Sequence, residues 1–314
     1  MIREISESEI NFIPDVDSLY IPTENSIELE QIINSKMFYP VFISGLSGNG
    51  KTLSIIQACA KNNREMFRVN ITSETDEDDL FGGFRLVNGE TVWFDGPVIQ
   101  AMKHGAVLLL DEVDLGTYKI LCLQPVLEGN GVLLKKINKF IKPESGFNVI
   151  ATANTKGKGS DDGRFVGTNI LNEAFLERFS ITFEQDYPSQ NQEISILTKL
   201  FDSLGISDIE KYVENLAKWA DCIRKTYFDG SGEGGGVDEL ISTRRLTHIA
   251  KAYSIFRDEL KAVTLCINRF DQDTKESFLD IWKKISDDEP IVEEQKKTEE
   301  DKLPKFGIFK ATFD

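Results

Sequence analysis

"GLSGNGKT", residues 45–52, is the stretch on which the fold turns. It fits GxxxxGK[ST] in full. The apolar run "YPVFISG" leads into it, and "KTLSIIQACAK" follows at helical spacing. In a chain of 314 residues a chance match is roughly a one-in-a-hundred event. Glycines let backbone N–H groups curl around phosphate oxygens, and the helix N-terminus adds its positive end. Gly45, Ser47, Gly48, Asn49 and Gly50 are therefore expected to cradle a phosphate chain. Lys51 is expected to reach the β- and γ-phosphates of ATP, and Thr52 to place its hydroxyl on Mg2+. The plain alternative is a Gly-rich turn, which the flanking strand and helix argue against.

A phosphate loop alone hydrolyses nothing. "VLLLDEVD" (107–114) supplies the next part: an apolar strand ending in Asp111 and Glu112. Asp111 can hold Mg2+ through water, and Glu112 can orient and polarise an attacking water. The alternative is a strand followed by a solvated acidic turn. "NVIATANT" (148–155) is another apolar run, ending at Asn154. A neutral amide there can hold the attacking water or touch the γ-phosphate. Standing alone, an Asn at a strand end is most often a turn former.

Outward from these motifs, "MFRVNI" (66–71) and "SITFE" (180–184) complete a set of five short apolar runs. Helix-compatible segments separate several of them. This predicts α/β layering around a mostly parallel sheet. "FRLVNGETVWF" (84–94) carries Asn-Gly between β-prone arms, the strongest short hairpin signal. "GVLLKKINKFI" (131–141) is strand-like and basic, and suggests a second hairpin. From about residue 188 the period changes. Ile209, Val213, Leu216, Ala220, Ile223 and Tyr227 alternate steps of four and three, as on an amphipathic helix. The expected organisation is an N-terminal segment (1–36), an αβα nucleotide-binding domain (37–187), a smaller all-helical lid domain (188–285) and an acidic tail (286–314). The end of that tail, "LPKFGIFKATFD", reads equally as a docking segment or a sticky end. "GSGEGG" (230–235) matches GxGxxG literally but follows a helix inside a glycine run, so it reads as a flexible loop.

Composition sets outer bounds. Hydrophobic residues make up 40% of the chain, enough for a real core, and the formal net charge is −16. That excludes a global basic footprint for nucleic acid and a polybasic membrane patch. No apolar run approaches the ~20 residues that span a bilayer, and the first residues show no signal-peptide core, so a cytoplasmic protein is expected. Cys59, Cys122, Cys222 and Cys266 lack metal-like spacing and read as buried thiols in a reducing compartment.

The strands, acids and asparagine in this order resemble the AAA+ ATPases. An NKxD guanine motif and an "LSGGQ" signature are both missing. Within AAA+, the hairpin insert before the acid-bearing strand resembles the MoxR-type branch, nearest to the small, ATPase subunit of aerobic cobaltochelatase. Similar passages, between about residues 12 and 285, include "FIPDVDSLY", "FRVNITSETDEDDLFGG", "FDGPVIQAM", "LEGNGVLL", "ATANTKGKG" and "GTNILNEAFLERFSI". The resemblance implies a ring, expected to be a hexamer, with ATP sites at subunit borders. It implies that Arg178 in "LERF" meets the γ-phosphate held by a neighbouring subunit, against the plain alternative of a surface ion pair. Arg164 is a second candidate for reaching across. Arg244 in "STRR" would sense nucleotide from within the subunit, with Arg245 as the fallback register. The implied work is remodelling of a protein partner, with a von Willebrand factor A domain protein or a chelatase-type partner as the family's usual associates. An alternative is a nucleic-acid motor or loader, kept open by Arg85, Trp93, Lys135, Lys136 and Lys139 on the two hairpins. A nucleotide-dependent scaffold with little turnover is a third reading, against which the intact Glu112 argues.

Overall fold

The computed structural model describes residues 11–159, 167–229 and 239–287. The first elements are α1 (Ser26–Ser35), β1 (Val41–Ser44), α2 (Lys51–Lys61), β2 (Met66–Asn70) and α3 (Glu77–Phe81). Next come the hairpin β3 (Gly82–Val87) and β4 (Glu90–Asp95), then α4 (Pro97–His104), β5 (Val107–Asp111) and α5 (Gln124–Leu127). A second hairpin, β6 (Val132–Leu134) and β7 (Lys139–Ile141), leads to β8 (Asn148–Ala153), α6 (Glu173–Leu176) and β9 (Ile181–Glu184). Five helices follow: α7 (Gln190–Ser203), α8 (Glu210–Asp229), α9 (Thr243–Phe256), α10 (Glu259–Ile267) and α11 (Gln272–Ser286).

The five apolar runs form one sheet in the order β2-β5-β8-β1-β9, and every pairing is parallel. Its inner strands are covered on both faces, which is why they read as continuous hydrophobic runs. The period of two divides them between two cores. Leu108 and Leu110 of β5, with Val149 and Ala151 of β8, face the core that includes Val98, Ile99 and Met102 of α4. Val107, Leu109 and Ile150 face the other way, toward Leu29 and Ile33 of α1 and Ile55 of α2. Both hairpins lie where the sequence places them.

The segment before β1 packs against this body. The Met66 amide donates to the Phe12 carbonyl at 3.0 Å, and the Phe12 and Phe67 rings stand 4.4 Å apart. After β9 a capping box on Ser189 and Gln192 starts α7. Helices α7 to α11 enclose a third core around Trp219, Phe278 and Trp282. All six residues of the predicted helical stripe, Ile209 through Tyr227, are buried there. Trp219 satisfies its indole N–H on the Phe278 carbonyl at 2.9 Å.

The thiols depart from expectation. Cys59 is buried, but Cys122, Cys222 and Cys266 are only partly covered. Among the described residues no helix is long and apolar enough to cross a membrane. The Gly-rich decoy at 230–235, Arg164 and residues 288–314 lie outside the described residues.

Candidate active site

A parallel sheet brings the C-terminal ends of its strands to one edge, where the connecting loops can share a site. Here β1, β5 and β8 end side by side, delivering the Gly-rich loop, the acid pair and Asn154 to one cleft of about 700 Å³.

The loop is built on backbone that only glycine adopts without strain. Gly48 has φ +77° and Gly50 has φ +97°, the latter capping the start of α2. Asn49 anchors the loop from beneath: its Nδ2 donates to the Gln185 carbonyl at 2.5 Å. Lys51 is 7% exposed. Its ammonium donates to the carbonyls of Gly45 at 2.6 Å and Leu46 at 3.0 Å, and to Asn154 Oδ1 at 3.3 Å. Burial lowers its pKa to about 8, against the opposing pull of Asp114, Asp111 and Glu112. A buried ammonium held by carbonyls is primed to exchange those partners for phosphate oxygens.

Asp111 ends β5 in the floor of the cleft, 4% exposed. Thr52 Oγ1 donates to its Oδ1 at 2.9 Å, and Thr152 Oγ1 donates to the same oxygen. Arg68 Nη2 donates to Oδ2 at 2.5 Å. Glu112 is exposed and stands in the left-handed region, φ 58° and ψ 46°. That conformation costs of order 1 kcal/mol or more for a residue with a Cβ. It is held by the Glu112 amide donating to Thr152 Oγ1 at 3.0 Å. Asp114, fully buried, accepts from the amides of Asn154 and Thr155, each at 2.9 Å, and from Thr155 Oγ1 at 3.0 Å. It thereby fixes the chain that presents Asn154.

The helical layer closes the cleft from above. Ser242 caps α9, and the Arg244 amide donates to the Gly48 carbonyl at 3.2 Å. Arg244 lines the cleft and Arg245 does not. Leu19, Tyr20 and Ile21 from the N-terminal segment, with Ile196 and Leu200 of α7, add an apolar wall to the cleft.

Ser47, Gly48, Asn49, Gly50, Lys51, Thr52, Asp111, Glu112, Asn154 and Arg244 all line this one cleft, and Gly45 contributes a carbonyl to Lys51. Arg178 is not among its walls. It follows α6, and its Nε donates to Glu128 Oε1 at 2.8 Å while Nη1 donates to the Ala174 carbonyl. Among the described residues the acid it meets is Glu128, not its neighbour Glu177. Of the hairpin side chains, Arg85 lies over Phe94, Trp93 donates to Asp95 at 2.8 Å, and Lys136 pairs with Asp78.

Arg68, Asp114, Thr152 and the apolar wall at 19–21 are absent from the sequence reading. Arg68 and Thr152 join the site through strand register, which pairs Asn70 with Asp111 and Leu110 with Ala151. Asp114 gave a faint signal, as a third acid at the end of "VLLLDEVD".

A Gly-rich loop on β1, an acid pair on β5 and a helical lid over the cleft together define a P-loop ATPase. The sequence signature of the AAA domain (dynein-related subfamily) matches residues 40–179. Aerobic cobaltochelatase subunit CobS of Sinorhizobium is 28% identical over 253 residues, 79% of this chain and 74% of that protein. An uncharacterised protein of Staphylococcus haemolyticus is 31% identical over 217 residues, 64% of this chain and 77% of its own length. Among solved structures, a RuvB mutant of Thermotoga maritima shares the fold, with a TM-score of 0.51 at 14% identity over 84% of this chain and 75% of that one. The chain belongs to the AAA+ ATPases, in the MoxR-type branch and near the cobaltochelatase ATPase subunit.

Proposed function

We propose that the cleft binds ATP with Mg2+ and that the chain hydrolyses it in a ring, expected to be a hexamer, to remodel a protein partner in the cytoplasm. The observation that carries the reading is the shared carboxylate. Thr52, directly after the loop lysine, and Asp111, at the end of β5, are both hard oxygen donors and stand 2.9 Å apart. One hydroxyl and one carboxylate, completed by phosphate oxygens and water, suit Mg2+. When bound, the ion neutralises charge on the terminal phosphates. Lys51 leaves the Gly45 and Leu46 carbonyls for phosphate oxygens. Glu112, exposed at the rim, accepts a proton from the attacking water. Asn154, whose amide is fixed by Asp114, would orient that water. Arg244 binds the phosphates from the lid, so that nucleotide state is read as lid position.

Arg178 is assigned to a neighbour's nucleotide. It lies outside its own cleft, and Glu128 holds it near the surface. Similarity to a cobaltochelatase subunit supports a partner of the chelatase type or one carrying a von Willebrand factor A domain. Glu112→Gln tests the chemistry. ATP should bind and persist uncleaved, because the amide keeps the shape but cannot take the proton. Turnover at the wild-type rate in that variant would refute the assignment.

A further inference from the structure

The phosphate loop does not account for every cation in the cleft. Arg68 stands on β2 two residues before Asn70, so the two side chains share a face, and both line the cleft. Asn70 lies opposite Asp111 in the sheet register, and Arg68 reaches along the strand to the same acid. Its Nη2 holds Asp111 Oδ2 at 2.5 Å, while Thr52 holds Oδ1 at 2.9 Å. The guanidinium and the hydroxyl assigned to Mg2+ thus grip the two oxygens of one carboxylate. The Asp111 side chain is 5% exposed and that of Arg68 is 43% exposed. The acid is fixed in the floor, whereas the arginine has room to turn.

A buried carboxylate needs a counter-charge, and Arg68 supplies it. Mg2+ beside Asp111 would replace that charge, and two cations on one carboxylate repel each other. A triphosphate at the same moment offers oxygens that a guanidinium fork fits better than a single carboxylate oxygen does. Asp111 is the acid assigned to the ion on the terminal phosphates, so a phosphate beside Arg68 would be the one ATP has and ADP lacks. We propose that Arg68 is a nucleotide ligand within its own subunit. It pairs with Asp111 when the cleft is empty and turns to the terminal phosphate when ATP is bound. The proposal rests on the reading of the cleft as an ATP site and adds to it a residue that distinguishes ATP from ADP.

The test is equilibrium binding to the full chain in Mg2+ of a non-hydrolysable fluorescent ATP analogue and of the matching ADP analogue. Arg68→Gln should weaken the ATP analogue on the order of tenfold to a hundredfold, the loss expected for one charge-assisted hydrogen bond. ADP binding should stay within about threefold. Arg68→Lys keeps the charge and the tie to Asp111 but loses the fork. It should fold normally and lower the ATP-to-ADP preference by roughly three- to tenfold. If Arg68→Gln does not fold, Arg68→Lys decides. A purely structural ion pair would lower the melting temperature and leave the preference unchanged. An unchanged preference in the folded variants, or an equal loss for both nucleotides, overturns the proposal while leaving the ATP site intact. A wild-type chain that binds neither nucleotide overturns both readings.

Discussion

Lys51 concentrates the chemistry of the site in one ammonium. Burial lowers its pKa to about 8, whereas phosphate oxygens stabilise its charged form. Above pH 8 the empty protein has lost a proton that the complex must take back, so binding takes up a proton there. ATP affinity should therefore be nearly flat between pH 7 and 8. It should then fall by up to about tenfold per unit above that. Titration of a fluorescent ATP analogue at pH 7 and pH 9.5 checks the sign; equal affinities at both would mean that Lys51 is not the titrating group. A few bonds away, Asp114 gathers two amides and a hydroxyl in a buried setting. Asp114→Ala would orphan those donors at about 1–3 kcal/mol each at most. It should lower both melting temperature and turnover, with a smaller effect on nucleotide affinity, because Lys51 and the loop remain. Thermal melts beside steady-state kinetics separate those effects.

Between elements, the decisive contact is the loop against the start of α9. A Cβ on Gly48 would come 2.8 Å from Ser242 Oγ and 2.9 Å from Ser242 Cβ, and φ +77° already disfavours a side chain there. Gly48→Ala should push α9 and Arg244 away from the phosphates. Weaker ATP binding is expected, by about tenfold or more, with a change of only a few degrees in the melt, since the helical layer keeps its own core around Trp219. Undiminished affinity would show that α9 does not help hold the nucleotide. The hairpins make the opposite point. Arg85, Trp93 and Lys136 each have a partner within the chain. Single-stranded DNA is therefore expected not to stimulate ATP hydrolysis; stimulation with a steep salt dependence would revive the motor reading.

For the whole molecule, Arg178 carries the prediction. Its guanidinium is held by Glu128 and the Ala174 carbonyl, away from its own cleft. In a ring it is available to a neighbour once it leaves Glu128. Arg178→Ala alone should assemble and bind ATP yet hydrolyse poorly, because such a finger is typically worth ~10³-fold or more. Lys51→Ala alone should be inactive because its own cleft does not hold phosphate. Mixing the two pairs an intact cleft with an intact Arg178 at some borders, and activity should partly return. In a structure of the ring with an ATP analogue, the guanidinium should lie nearer the adjacent subunit's γ-phosphate than its own. A guanidinium still on Glu128 in that ring would leave the trans role without support.

Much of this was written locally. "GLSGNGKT", "VLLLDEVD" and "NVIATANT" are contiguous because each serves the end of one strand and the turn after it. The loop, the acids, Asn154 and the hairpins could therefore be read from spacing alone. Helix α8 was equally legible, since a buried stripe repeats every three or four residues whatever it packs on. Tertiary structure decided what depends on register and on approach between distant segments. Arg68 meets Asp111 across 43 residues because β2 and β5 pair with Asn70 opposite Asp111. Arg244 rather than Arg245 lines the cleft because the start of α9 docks on Gly48. Glu128 meets Arg178 across 50 residues because the chain after α5 and the chain after α6 come together in space. Such contacts join residues by position in space, and a side chain does not carry in its own neighbourhood the identity of the partner that folding will bring to it.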